Sequence, residues 1–202
     1  MSTEVYFSVD IEADGTIPGP YSMSSFGAVA CAMRDDQEHR KWQVSPLDID
    51  DPQNSFYSEL QPISNSSIPA AARVSGLSRD HLIENGTLPR VAMKSFDNWV
   101  SSTTERLGGQ GARAVFVAYP LAYDWMWVYW YLINFAGHSP FGHSTTLDIK
   151  TLLATKTSKL IRKTGKRTIP KRLRSTRPHT HNALDDAKEQ GELFVNIVND
   201  WS

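Results

Sequence analysis

Two carboxylates stand two residues apart near the start of the chain. Asp10 and Glu12 follow the segment Val5–Val9, whose β-branched and aromatic residues predict a strand. Side chains at positions i and i+2 of an extended chain point to the same side, so both carboxylates face one place. Two carboxylates held together repel each other, and a cation between them relieves the repulsion. A polar strand end gives the same short pattern, so further acidic groups are needed to support a metal site.

Three further candidates come later in the chain. Asp124 follows an apolar segment, 114–118, and begins an aromatic-rich segment, where a role in capping a helix would also explain it. His181 and Asp186 have four residues between them at the start of the last predicted helix. There the histidine would lie just before the first turn and overhang the site that Asp186 faces. A capping segment with a surface histidine is the alternative interpretation.

Positive charge is concentrated in one segment. The net charge is −1, but residues 156–177 include ten basic residues and no acidic one, and the remainder has 11 basic and 22 acidic residues. A basic segment in an acidic body indicates a polyanionic partner, although a solvated loop would look the same. Gly165 and Pro170 interrupt the segment and predict a mobile arm rather than a packed element.

Length and composition predict one globular domain. The chain has 202 residues, of which 40% are hydrophobic and 21% charged. No apolar run approaches the roughly 18 residues of a membrane span, and Met1–Ser8 shows no signal-peptide pattern, so no membrane association is expected. Cys31 is the only cysteine, which excludes an internal disulfide and favours a reducing, cytoplasmic location.

The order of the predicted elements favours an α/β domain. Strands are predicted at 5–9, 25–33, 56–60, 114–118 and 147–149, and helices at 68–74, 78–84, 90–107, 123–136 and 183–198. Strands come first, and helices then alternate with strands, which is typical of a mixed central sheet with helices on its faces. Ligands of such folds bind at the carboxyl ends of strands, where Asp10 and Glu12 lie.

The candidates together resemble a known family. Asp-x-Glu on the first strand, Tyr123-Asp124 after a central strand, and His-x4-Asp near the end resemble the DEDDh branch of the DEDD superfamily of 3′–5′ exonucleases. The resemblance covers nearly the whole chain, with local matches at 26–29, 74–78 and 147–152. It implies a ribonuclease H-like fold. One departure is that residues 119–122 replace a His-Asn pair that many relatives carry, which puts local substrate contacts in question.

The resemblance also implies roles. Asp10, Glu12, Asp124 and Asp186 would hold two Mg²⁺ or Mn²⁺ ions, for which oxygen ligands are suited. His181 would be the general base, since histidine exchanges protons near neutral pH. The neighbouring histidine and aspartate at positions 179 and 185 lack the family spacing and receive no catalytic role. The implied reaction hydrolyses phosphodiester bonds at the 3′ end of DNA or RNA and releases nucleoside 5′-monophosphates.

Substrate contacts and partners follow from the surrounding sequence. Lys163, Lys166 and Arg167 precede His181 in the sequence. They are expected to hold backbone phosphates upstream of the reacting 3′ end of a single strand. Leu77 matches a position where relatives place an apolar side chain against the terminal bases; a core leucine is the alternative. The aromatic stretch Trp125–Tyr131 predicts a buried helix, and surplus aromatic surface there would permit a homodimer.

Two other functions compete with an exonuclease. A catalytically silent nucleic-acid-binding module would keep the fold, but the complete set of four acids and one histidine argues against it. A metal-dependent phosphatase acting on small phosphoesters would use similar acids. The basic segment argues for a longer polyanion.

Overall fold

A six-stranded mixed sheet forms the centre of the computed structural model, which describes residues 3–36 and 42–200. Its strands are β1 (Thr3–Ala13), β2 (Met23–Asp35), β3 (Ser45–Pro46), β4 (Ser55–Glu59), β5 (Arg113–Ala118) and β6 (Thr146–Asp148). β2 runs antiparallel to β1, and β5 and β6 continue the sheet parallel to β1. β3 and β4 pair with successive parts of the other edge of β2.

Helices follow the strands in the predicted order. They are α1 (Pro69–Ala72), α2 (Arg79–Asn85), α3 (Pro89–Gly108), α4 (Leu121–Tyr131), α5 (Ile149–Thr157) and α6 (Ala183–Asn199). Ser78 caps α2 as expected, since its hydroxyl accepts a hydrogen bond of 3.1 Å from the main-chain N–H of His81. The predicted elements are therefore confirmed, each within a few residues of its expected limits.

Alternation along β1 divides the core into two layers. Val5 and Phe7 pack with Phe96 of α3 in one cluster, on the side of the sheet that also holds α4. Tyr6 packs with Phe194 of α6 in the other cluster. Because successive side chains of a strand point to opposite faces, the even-numbered positions of β1 face α6. Asp10 and Glu12 belong to that even-numbered set, so they point toward α6.

The start of α6 lies unusually close to β2. Gly27 of β2 has no side chain, and a Cβ built there would lie 2.4 Å from the backbone of Leu184. Further along α6, a Cβ built on Gly191 would lie 2.8 Å from the Cβ of Cys31 on β2. The two glycines therefore allow α6 to pack directly on the sheet, which brings its first turns beside the end of β1.

The aromatic helix is part of the core. Trp127 and Tyr131 of α4 are fully buried, and the Tyr131 hydroxyl accepts a 2.8 Å hydrogen bond from the N–H of Met23. α4 continues as a π-helical turn over Leu132–Ala136 and ends at Gly137, whose φ of 92° is left-handed. Across the described residues, no helix is both long and apolar enough to cross a membrane.

The basic segment is packed over part of its length. Residues 156–177 form the end of α5 and three short 3₁₀ turns, and Ile169 and Leu173 are buried in the cluster that contains α6. Four of its basic residues form ion pairs with acidic residues of the body, namely Lys156, Lys166, Arg172 and Arg177. This packing differs from the arm expected from Gly165 and Pro170, because buried apolar residues lie between the cations. Movement of the segment stays a prediction.

Candidate active site

One cleft collects the five residues singled out by the sequence. It has a volume of about 260 Å³ and lies where β1 ends, between the first turns of α4 and α6 and the loop before α6. Its lining includes Asp10, Glu12, Asp124, His181 and Asp186. Residues separated by more than 170 positions in the chain thus meet at the carboxyl end of the sheet.

The two carboxylates of β1 meet α6, as their alternation requires. Oxygen atoms of Asp10, Glu12 and Asp186 all lie within 4.8 Å of one another. Oδ1 of Asp10 also accepts a 2.5 Å hydrogen bond from Nε2 of Gln190, which is buried one turn beyond Asp186 on the same helix. The amide therefore fixes one oxygen of Asp10, and the other remains available to a ligand.

Asp124 joins this group from α4. The residue is 3% exposed, and the main-chain N–H groups of Ile11 and of Asp124 itself lower its pKa against the larger effect of desolvation. Ile11 stands between the two carboxylates of β1, so Asp124 lies beside them. Its place in the first turn of α4 also suits a negative charge, since the positive end of the helix dipole lies there.

Burial makes the ionised state of these acids costly. Desolvation, followed by the neighbouring charges of Asp124, Asp186 and Glu12, raises the pKa of Asp10 well above its ordinary value. Desolvation, followed by the charge of Asp186, raises the pKa of Glu12 to about 7. Desolvation also raises the pKa of Asp124. A bound cation would offset these costs, because it supplies the positive charge that the site lacks.

The loop before α6 places His181 over the acids. The residue has a left-handed φ of 61°, and its side chain is 51% exposed, with Nδ1 4.0 Å from Oε1 of Glu12. Asp186 accepts hydrogen bonds from the N–H of Thr180 at 2.9 Å and of His181 at 3.1 Å. The buried carboxylate of Asp186 therefore fixes the main chain that carries the histidine.

A second histidine lines the same cleft. Nδ1 of His179 lies 2.9 Å from Oδ2 of Asp186 and 3.1 Å from Oε2 of Glu189, and its ring centre is 4.6 Å from that of His181. Sequence spacing gave His179 no role, and the structure shows that it touches the site. The His-x-His pattern before the helix was the available signal.

The three basic residues expected to contact the substrate differ in their exposure and ion pairing. Lys166 is 29% exposed and forms a 2.6 Å ion pair with Glu189, whereas Lys163 and Arg167 are exposed. In the described ranges 3–36 and 42–200, no ion pair involves the side chains of Lys163 and Arg167. The exposed pair can meet a phosphate without first breaking a contact.

Leu77 does not line the catalytic cleft. It lies on a separate small cavity beside Met23 and Leu82. The cleft wall is formed instead by Ala71 and Val74, and the Val74 side chain is 47% exposed. The left-handed Gly76 turns the chain between the two positions, which separates Leu77 from the wall.

The donor atoms fit hard divalent ions. Asp10, Glu12 and Asp186 offer carboxylate oxygens only, with Asp124 beside them, and such ligands suit Mg²⁺ and Mn²⁺. Asp186 also belongs to a second group, with a ring nitrogen from each of the two cleft histidines. The shared aspartate makes the two groups parts of one centre.

Comparisons with known proteins agree with this geometry. No family model matches the chain. It is 34% identical over 191 residues to the 3′–5′ DNA exonuclease Cap18 of Escherichia coli, covering 95% of this chain and 90% of that protein. Among solved structures, it is similar to the nuclease domain of 3′hExo, a DEDDh family member bound to rAMP, with a TM-score of 0.68 and 15% identity over 98% of this chain and 92% of that one. The E. coli ExoI–ssDNA complex gives a TM-score of 0.57 at 12% identity, over 98% and 40% of the two chains. The predicted ribonuclease H-like fold is thereby confirmed.

Proposed function

The chain belongs to the DEDDh family of 3′–5′ exonucleases, and we propose that it shortens single-stranded DNA from the 3′ end, releasing nucleoside 5′-monophosphates. The observation that carries this proposal is the meeting of Asp10, Glu12, Asp124, His181 and Asp186 in one cleft. The choice of DNA rests on the similarity to Cap18, whose name gives DNA as its substrate.

Four carboxylates would hold the metal. We propose that Asp10, Glu12, Asp124 and Asp186 bind two Mg²⁺ or Mn²⁺ ions, since four negative charges balance two divalent ions. When bound, such a pair activates water and stabilises the leaving oxygen of a phosphodiester. Asp10 keeps its orientation through Gln190, and Asp124 lies beside it in the first turn of α4. The fold therefore brings these ligands together before any ion arrives.

His181 would take the proton of the attacking water. Its ring stands at the rim of the cleft, half exposed, so water reaches it while Asp186 holds its main chain. A base at this position contributes on the order of 10²–10⁴-fold to the rate. The proton leaves to solvent from the exposed side of the ring. The histidine thus supplies the acid–base step that the carboxylates, as metal ligands, cannot supply.

The walls of the cleft suit the end of a strand. Val74 and Ala71 offer an apolar surface to the terminal base, and Tyr123 lies on the opposite lining, with its hydroxyl donating to the carbonyl of Gly15 at 3.1 Å. Lys163 and Arg167 would hold phosphates further from the end. Leu77 lines a separate small cavity, so the proposal assigns the apolar contact to Val74 and Ala71.

A panel of substrates tests the proposal against its competitors. A mononucleotide ester, a 5-mer and a 20-mer of single-stranded DNA, and the matching 20-mer RNA are digested with Mg²⁺ and with Mn²⁺. We expect the DNA 20-mer to be degraded fastest and the ester not to be cleaved. Preferential cleavage of the ester would favour a small-phosphoester hydrolase. Binding of the 20-mer without cleavage under either metal would favour the silent binding module.

Location and assembly are part of the same proposal. A reducing, cytoplasmic compartment suits a chain whose single cysteine, Cys31, is buried and has no cysteine partner within the chain. A homodimer would have to use apolar side chains near the aromatic helix that stay exposed outside the cleft, such as Ile133, since Trp127 and Tyr131 are fully buried. A monomeric mass in solution would remove the homodimer from the proposal.

A further inference from the structure

Glu189 lies beside the catalytic cleft without lining it. It follows Asp186 by three residues on α6, and its side chain is 14% exposed. Its Oε2 atom lies 2.6 Å from Nζ of Lys166 and 3.1 Å from Nδ1 of His179. One carboxylate oxygen therefore joins the basic segment to the loop that carries His181.

Lys166 reaches inward where its neighbours face solvent. Its Nζ atom contacts Glu189 and also lies 2.9 Å from Nδ1 of His179. Its positive charge opposes the rise in the pKa of Asp10 and of Asp124, so the ammonium lies close enough to influence the acids. Lys163 is exposed instead, three residues earlier. Lys166 is thus part of the catalytic neighbourhood rather than of the outer surface.

The segment around Lys166 is held on both sides. Before it, the carbonyl of Thr164 accepts a hydrogen bond from the hydroxyl of Tyr119, a residue of the cleft lining, and Thr164 is buried. After it, Ile169 is buried in the cluster that contains α6. Because Lys166 lies between two buried residues, its main chain is held in place, and this places its side chain against Glu189.

The histidine loop needs an anchor of this kind. His181 has a left-handed backbone conformation, which is costly for a residue with a side chain and persists only where the surroundings enforce it. The hydrogen bonds from Thr180 and His181 end on Asp186, which the proposed function also assigns to metal binding. Glu189 contacts the same loop through Nδ1 of His179, and its carboxylate is not among the proposed metal ligands.

We propose that Lys166 and Glu189 are positioning residues that hold the 179–181 loop, and through it His181, over the acidic cluster. The inference rests on the proposed role of His181 as the base. It divides the basic segment into two functions. Lys166 acts on the rate of the chemical step, whereas Lys163 and Arg167 act on binding of the strand.

Steady-state kinetics on the full-length protein test this division. The variants are Glu189→Gln, Lys166→Ala and their double variant, with a 5′-labelled DNA 20-mer as substrate. The matched control is Asp200→Asn, which removes the charge that the residue after α6 presents to Lys156 and Arg172 of the basic segment. Asp200 lies roughly 20 Å along the helix from Asp186, given a rise of about 1.5 Å per residue.

The expected result separates kcat from KM. Glu189→Gln and Lys166→Ala should each lower kcat about tenfold and change KM less than about threefold, since a displaced base slows the chemical step. The double variant should be no slower than the slower single variant, because the two single variants lose the same contact between Lys166 and Glu189. Asp200→Asn should stay within about twofold of the wild type, and Lys163→Ala should raise KM instead. Single effects that multiply in the double variant, or a Lys166→Ala variant altered only in KM, would overturn the proposal.

A spectroscopic reading makes the test independent of turnover. In ¹H–¹³C spectra of the metal-free protein, Glu189→Gln should shift the ring signals of His179 and His181, and Asp200→Asn should leave them in place. Unmoved ring signals in Glu189→Gln would overturn the proposed positioning. A fully active His181→Asn variant would instead reject the histidine as base, and the ring signals would still decide whether Glu189 positions the loop.

Discussion

The acidic cluster and the basic segment are neighbours that differ in how far their charges are paired with opposite charges. In the cluster, Glu12, Asp124 and Asp186 are buried and Asp10 is half-buried, and across the described parts of the chain none of the four forms an ion pair with a lysine or arginine. In the basic segment, four of the ten basic residues are neutralised by acids of the body. Uncompensated charge is thus concentrated where a divalent ion would bind.

This difference explains why composition alone is a poor guide to the partner surface. A count of ten cations suggests one uniform phosphate-binding arm. Several cations of the segment already form ion pairs with acids of the body. Exposed cations without an ion pair, such as Lys163 and Arg167, can contact a strand without losing one. The acids show the reverse, since a few buried carboxylates dominate the chemistry of a chain with a net charge of −1.

The sharpest contrast is within one dipeptide of α6. Asp186 is 1% exposed and sits in the cluster, whereas its neighbour Asp185 is exposed. We expect Asp186→Asn to lower kcat about 10³-fold or more, because it removes a proposed metal ligand and an anchor of the histidine loop. Asp185→Asn should stay within a few-fold of the wild type. Equal losses in the two variants would show that the buried position has no special role.

Loss of the proposed base should have the next largest effect. His181→Asn is expected to lower kcat by about 10²–10³-fold, with little change in KM. The control is His143→Asn, at an exposed histidine outside the cleft. A His181→Asn variant that keeps the wild-type rate would remove His181 from the mechanism.

The fold and the site were not equally predictable. Alternation along β1 and the 3.6-residue period of α6 follow from side-chain direction, so they predicted the elements and the common side of Asp10 and Glu12. The meeting of these residues with Asp186 was implied only by the resemblance to the DEDDh family. The roles of Glu189, Gln190 and Lys166 depend on how an irregular segment returns across α6, and no periodicity encodes that path. Hydrogen bonds such as that from Gln190 to Asp10 join residues 180 positions apart, which spacing cannot reveal.

The same applies to the apolar wall of the cleft. Leu77 was the predicted contact, and Val74 lines the cleft instead. They are three positions apart in sequence, and Gly76 between them has a left-handed φ. A turn of that kind moves a side chain to another surface, so a motif match locates the region and not the contacting residue.

The unrelieved charge of the acidic cluster should appear in the stability of the metal-free protein. Burial raises the pKa of Glu12 from 4.5 to about 7, so the folded state binds more protons than the unfolded state in this window. The free energy of unfolding should therefore fall as pH rises from about 4.5 to 7. Glu12→Gln should be more stable than the wild type by about 1–3 kcal/mol at pH 8 in EDTA, and equally stable near pH 4. Urea denaturation at the two pH values measures this, and an equal difference at both would contradict it.

The basic segment should show its division in the salt dependence of binding. With Ca²⁺ in place of Mg²⁺ to limit turnover, Lys163→Ala/Arg167→Ala should weaken binding of a DNA 20-mer about tenfold. It should also reduce the slope of log Kd against log salt by about 1.4, as expected for two lost phosphate contacts on a single strand. Arg172→Ala, which removes a paired cation, should change the slope less. Equal slopes in the two variants would mean that pairing does not decide which cations meet the strand.

The smallest expected effect concerns the wall of the cleft. Val74→Ala should raise KM about threefold with kcat nearly unchanged, because it removes apolar surface exposed to the terminal base. Leu77→Ala should affect thermal stability more than KM, since its side chain lines a cavity next to the core residue Met23. Reversed behaviour of the two variants would return Leu77 to the list of direct contacts.

The acidic cluster is proposed to form a metal-dependent 3′–5′ exonuclease centre. Digestion of a 5′-labelled single-stranded DNA with Mg²⁺, with Mn²⁺ and with EDTA, by the wild type and by Asp10→Ala, tests this directly. We expect a ladder that shortens from the 3′ end, requires a divalent ion, and disappears in Asp10→Ala. A ladder that persists in EDTA or in Asp10→Ala, or labelled DNA that stays intact under both metals, would contradict it.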